Sequence, residues 1–177
     1  MNIIFLDIDG VLNSYRYFES IKSQDDLKHT EIRDYHVQLL SKIYHACDAK
    51  IVLASSWRTI RDSDDKDCID MWNYLIDSLA TYNMEIVDYT PVIHLNRPKE
   101  IATWLKKHSD NTDIHFVIFD DDFPKAQYDV FGLGRYLVKT EFWANNMDTG
   151  GLQQEHVEKA IKILKEQQYE NKENYNR

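Results

Sequence analysis

Residues 3 to 13 read Ile3-Ile4-Phe5-Leu6-Asp7-Ile8-Asp9-Gly10-Val11-Leu12-Asn13, an apolar run that ends in two carboxylates and a glycine. A short continuous apolar segment bounded by a turn signal predicts a strand buried on both faces of a parallel sheet. In open α/β sheets the carboxyl ends of the strands form the ligand site, so this strand would deliver Asp7 and Asp9 to it. Period-2 alternation sends Asp7 and Asp9 to one side and Ile8 to the other, while Gly10 permits a sharp reversal. Like charges at this range share a proton or hold a cation. Hard oxygen ligands suit Mg²⁺.

Three later stretches repeat the arrangement of an apolar strand or a helix start carrying polar groups. Lys50-Ile51-Val52-Leu53-Ala54 predicts a strand that runs into Ser55-Ser56-Trp57-Arg58. Ser55 there reads equally as an ordinary N-cap. Asn96-Arg97-Pro98-Lys99-Glu100-Ile101 leads into a helix with Ile101, Trp104 and Leu105 on one face, and Pro98 suits its first turn. A cation in that turn is disfavoured by the helix macrodipole, so Arg97 and Lys99 both need a functional reason. His115-Phe116-Val117-Ile118-Phe119 predicts a further strand, ending in Asp120-Asp121-Asp122. Acids so crowded repel unless a cation lies among them.

Between these come weaker signals. Residues 14–30 read as a loop or small flap, and 31–47 as an amphipathic helix with Thr30 as N-cap and His36 and His45 on its flanks. The Asp-rich stretch 59–70 reads as a solvated loop without a metal site, followed by a helix over 71–82 and a strand near 84–87. Gly132-Leu133-Gly134-Arg135 lacks the spacing of a dinucleotide fingerprint and predicts a turn before a last strand at 136–139. Residues 140–151 form a loop, and Val157, Ala160, Ile161 and Leu164 mark a final helix. From Gln167 the apolar face is lost, which predicts a polar tail over 167–177 after one domain at 1–166.

Length and composition fit that reading. A chain of 177 residues with 43% hydrophobic content supports a single domain with its own core. No long apolar run and no basic leader with an apolar core is seen, so the expectation is a cytoplasmic protein with no membrane contact and no obligate protein partner. Cys47 and Cys68 lack metal-ligand spacing and read as reduced thiols. A formal net charge of −9 argues against a broad nucleic-acid-binding surface. A local basic patch could still hold one phosphate.

Taken in order, the four stretches resemble the four motifs of the haloacid dehalogenase (HAD) phosphohydrolase superfamily. Asp7-Ile8-Asp9-Gly10-Val11-Leu12-Asn13 matches the first motif, and the run from Arg97 to Leu105 resembles the HAD domain of RNA-repair ("Swiss Army Knife") proteins. The resemblance implies an α/β, three-layer, Rossmann-like fold with a mostly parallel sheet of about five strands and no large cap domain. It implies a Mg²⁺-dependent phosphatase in which Asp7 is the nucleophile, Asp9 the general acid and base, and Ser55 a phosphoryl-binding hydroxyl. Arg97 or Lys99 would be the motif-three cation, Arg97 favoured by the RNA-repair branch and Lys99 by the wider superfamily. Asn13, Ser56 and Arg58 would contact substrate, Arg58 through a bidentate fork. Mg²⁺ would be held by Asp7, Asp9 through its backbone carbonyl, and one of Asp120 and Asp121, with Asp122 capping the next segment. An open, capless cleft suits a bulky phosphorylated partner such as a 5′- or 3′-phosphorylated polynucleotide end. A nucleotide or phosphoprotein phosphatase is the alternative. From another class, a receiver-like phosphoacceptor domain would also use a strand-end Asp, but has no need of Asp9.

Overall fold

The computed structural model describes residues 1–22, 31–108 and 113–175. Five strands, β1 (Asn2–Leu6), β2 (Ala49–Leu53), β3 (Ile86–Tyr89), β4 (His115–Asp120) and β5 (Leu137–Lys139), form one all-parallel sheet in the order β3-β2-β1-β4-β5. The apolar opening run therefore takes the central position, where both faces must be covered. Register aligns Leu6 with Leu53 on one side and Phe119 on the other, so Asp7, Ala54 and Asp120 leave the sheet at one level.

Alternation along β1 splits the core in two. Ile4 and Leu6 face a cluster built with helices α2 (Asp34–Ala46), α3 (Lys66–Ala80) and α6 (Gln154–Tyr175), whereas Ile3 and Phe5 face α4 (Arg97–His108) and α5 (Lys125–Asp129). Phe5 meets Trp104 and Phe116 edge-on, at centroid distances of 5.2 and 5.8 Å. Each such buried side chain contributes roughly 1.5–3 kcal/mol, enough together to hold strand ends that carry a like-charged cluster. No separate cap domain is found among the described residues, and no described helix is long and apolar enough to cross a membrane.

Several elements depart from the sequence expectation, each for a local reason. The stretch after Asn13 is a helix, α1 (Tyr15–Ile21), because Ser14 Oγ accepts from Tyr17 N at 3.4 Å. The rest of the expected loop, and Thr30 as a cap, lie outside the described residues; α2 starts after Arg33. The Asp-rich loop ends early because Asp65 caps α3, its Oδ1 accepting from Cys68 N at 3.0 Å. The third strand lies at 86–89 rather than 84–87, and the last begins at Leu137. His36 is fully buried, not on a flank: Gly151, at φ +72°, leaves room for its ring where an added Cβ would lie 2.3 Å from Cε1. The polar tail expected from 167 is the end of α6, which runs to Tyr175. Gln167 anchors it, its amide donating to Phe116 O at 2.9 Å and accepting from Phe116 N at 3.1 Å.

Candidate active site

The loop after β1 is built by its own backbone. Val11 and Leu12 N–H groups return to Ile8 O, and Gly10 N donates to Asn13 Oδ1 at 2.9 Å. The carbonyls of Leu12 and Val11 accept from Arg33 and Leu152, so α2 and the approach to α6 clamp the loop from outside. Gly10 adopts φ +70°, and a Cβ there would fall 2.1 Å from Asp121 Cγ. Only glycine lets that carboxyl approach the loop.

Asp7, Asp120 and Asp121 converge, one carboxylate oxygen from each lying within 4.8 Å of the others. Asp7 is 4% exposed and Asp120 is completely buried. Such a triangle of hard oxygens fits a divalent cation, the more so because burial and then the neighbouring Asp120 push the Asp121 carboxyl up to about 6, with Lys139 opposing. Asp120 is fully engaged by protein: Oδ1 accepts from Asp122 N and Phe123 N at 2.8 and 2.7 Å, and Oδ2 from Tyr128 OH at 2.9 Å and Arg97 Nη1 at 2.8 Å. Asp121 accepts no hydrogen bond from another described residue, which leaves it the freer ligand.

Arg97 provides the cation already present. Its Nη1 donates to Asp7 Oδ2 as well as to Asp120, and the guanidinium lies 5.7 Å from the Phe123 ring centroid. Its Nε is buried without a partner among the described residues. Lys99 is exposed on the outer side of the first turn, where its N–H is capped by Asn96 Oδ1 at 3.1 Å. Among the described residues, Asp9 belongs to no carboxylate cluster. Its Oδ1 accepts from Asn13 Nδ2 and its Oδ2 from Trp57 Nε1, each at 2.9 Å.

Ser55 is buried and caps a short 3₁₀ turn, Ser56–Thr59, by accepting from Trp57 N at 3.3 Å. The cap uses the oxygen as acceptor and leaves the hydroxyl proton to donate elsewhere. Arg58 does not reach outward as a free fork. Its Nη1 donates to Ser55 O at 2.6 Å and its Nη2 to Glu100 Oε2 at 2.7 Å, while Glu100 Oε1 accepts from Ile93 N at 2.8 Å. This buried chain ties the Ser55 turn to the loop that presents Arg97. Ser56, exposed, lines a cleft of about 250 Å³ with Arg58, Leu95, Arg97 and Phe123. A larger cavity of about 680 Å³, lined by Lys139, Thr140, Glu141, Asp148 and His156, lies outside the acid triangle.

Trp57, Tyr128 and Glu100 escape sequence reasoning. Each is an apolar or helical position by pattern, and its polar atom finds its partner only once the strand ends and helix starts are brought together.

Compared with known proteins, the chain returns no match among curated proteins or solved structures. Residues 3–157 match the family described as the HAD domain in Swiss Army Knife RNA repair proteins. That span holds the three strand-end groups, Arg97 at the start of α4 and most of the sheet's covering helices, and the chain belongs to this family of HAD domains.

Proposed function

We propose that the protein is a Mg²⁺-dependent phosphatase that acts through an aspartyl-phosphate on Asp7, with a phosphorylated polynucleotide end as substrate. The observation that carries this reading is Arg97, which bridges Asp7 and Asp120 beside an acid triangle and lines the adjoining cleft. Asp7 attacks phosphorus and the ester oxygen departs with a proton from Asp9. Asp9 then takes a proton from the water that hydrolyses the acyl phosphate. The Arg97 guanidinium and the Ser55 hydroxyl are the donors for the charge that develops on the phosphoryl oxygens. Asp7, the Asp9 carbonyl and Asp121 would hold Mg²⁺, which neutralises the site so that an anion can approach a carboxylate. Arg58 and Glu100 act at one remove, holding the Ser55 and Arg97 loops in register.

The receiver reading is disfavoured by Asp9, whose two oxygens are oriented by Asn13 and Trp57 as a proton-transfer group requires. Trp57→Phe should therefore lower kcat by about tenfold, less than the 10²–10⁴ carried by an acid–base group itself, and flatten the pH profile of kcat. An unchanged profile would separate Trp57 from the proton transfer. The overall test is turnover across nucleotides, 3′- and 5′-phosphorylated oligonucleotides and phosphopeptides, with chelation abolishing it. Hydrolysis of phosphopeptides alone would move the substrate class.

The metal has its own readout. Because the Asp121 carboxyl is raised to about 6, its stabilising contribution without metal is full at low pH and is lost as pH rises through that value. Mg²⁺ should remove this penalty. The Mg²⁺-induced rise in Tm is expected to be larger near pH 7 than near pH 5, and to lose that dependence in Asp121→Asn. An equal rise at both pH values would assign the ion elsewhere.

A further inference from the structure

The loop that positions Asp9 continues directly into an aromatic surface. Asn13, in contact with the Asp9 carboxylate, is followed after Ser14 by Tyr15, so the next ring starts within about 7 Å of chain from that contact. Tyr15 N donates to Phe142 O at 2.9 Å, which brings α1 against the loop after β5. The Tyr15 and Trp143 rings lie 4.9 Å apart, Phe142 is 5.0 Å from Trp143, and Phe18 is 5.8 Å from Phe142. Trp143 is 71% exposed in spite of this company. Arg16 lies beside the rings, 5.8 Å from the Tyr15 centroid, with Nε donating to Asn145 O at 3.0 Å. The nearby Glu19 is paired with Lys22 at 2.6 Å.

Core packing has no use for an exposed indole backed by three further rings and a guanidinium. An unstacked nucleobase does, because every base has a π-face and stacking tolerates any sequence. Position agrees with that occupant. In the proposed mechanism Asp9 protonates the ester oxygen, and Asp9 is held by Asn13, two residues before Tyr15, so a chain attached to that oxygen leaves the site beside the platform. Charge agrees as well. A formal net charge of −9 denies the protein a broad phosphate-binding footprint, so a strand must be held mainly by its bases, with Arg16 as the local cation.

The geometry points to the Tyr15–Trp143 platform as the site that stacks the terminal bases of a single-stranded polynucleotide whose end phosphate lies at Asp7. This rests on the polynucleotide-end reading above. The test compares Trp143→Ala with the intact protein on methyl phosphate, which carries no ring to stack, and on single-stranded oligonucleotides with a 3′- or 5′-phosphate. The expected result is a fall in kcat/KM of about tenfold or more on at least one oligonucleotide end, no change beyond about twofold on the small substrate, and recovery in Trp143→Phe. Equal loss on both substrates, or loss on neither, overturns it.

An unphosphorylated oligonucleotide gives a readout independent of turnover, and its binding should quench fluorescence in the intact protein and not in Trp143→Phe. Quenching without hydrolysis of any oligonucleotide would remove the polynucleotide reading of the active site and keep the platform. Hydrolysis with neither quenching nor loss in Trp143→Ala would do the reverse. Sedimentation that reveals a dimer dissolved by Trp143→Ala would give the surface to a second copy and overturn the proposal.

Discussion

Asp7→Asn leaves a folded protein with phosphatase turnover reduced by at least about 10³-fold, as expected when a covalent nucleophile is removed and only binding and electrostatic groups remain. The substitution keeps the shape of a side chain that is 4% exposed, so no cavity opens. It does change the polar contacts. In the native site Oδ1 accepts from Ile8 N at 2.8 Å and Oδ2 accepts from Arg97, and an amide can offer an acceptor to only one of these donors. The loss of one negative charge beside Asp120 and Asp121 offsets part of that cost by easing repulsion. Circular dichroism should therefore match the native protein while steady-state kinetics do not. Residual activity within tenfold of native would sink the covalent mechanism, whatever the metal does.

The strand ends are legible in the sequence because an apolar run that stops at a carboxylate or hydroxyl is the mark of a buried strand feeding a polar site, and β1, β2 and β4 all carry it. Arg97 is legible only as one of two cations. Helix geometry alone separates them: Arg97 opens α4 and turns back over Asp7, while Lys99 lies two residues into the turn and faces outward. The choice between Asp120 and Asp121 is closed to sequence because it depends on which groups donate to Asp120, and those donors include Tyr128 from a later helix. Arg58 is legible as a cation of the cleft, but its partner is not, for the same reason. Its fork has the right chemistry for a phosphate, but Glu100, 42 residues on and 1% exposed, takes it. Gln167 shows the limit of the apolar-face criterion, since an amide that completes the Phe116 backbone can hold a helix end with no apolar side chain. The platform at Trp143 is illegible because its rings come from two segments more than a hundred residues apart.

Arg97→Ala should lower kcat/KM by at least the ~10²-fold typical of losing one transition-state donor, while Lys99→Ala should cost no more than about threefold. The ranking follows from where each cation lies. Arg97 is the only described cation whose hydrogen bonds join Asp7 to Asp120, and its planar fork carries further N–H donors beside the one that makes this bridge, a division of labour a Lys ammonium cannot reproduce in the same geometry. Its removal also leaves the acid triangle with only the half-exposed Lys139 as counter-charge, so the apo variant should melt lower than the native protein, with Mg²⁺ restoring more of the Tm in Arg97→Ala than it adds to the native chain. Lys99→Ala should have no such metal-dependent deficit, because its ammonium lies outside the triangle. Kinetics with the order reversed, on variants proven folded, would transfer the role to Lys99. A loss in Arg97→Ala that Mg²⁺ fully repairs in both Tm and kcat/KM would confine Arg97 to charge balance and leave Ser55 as the phosphoryl donor.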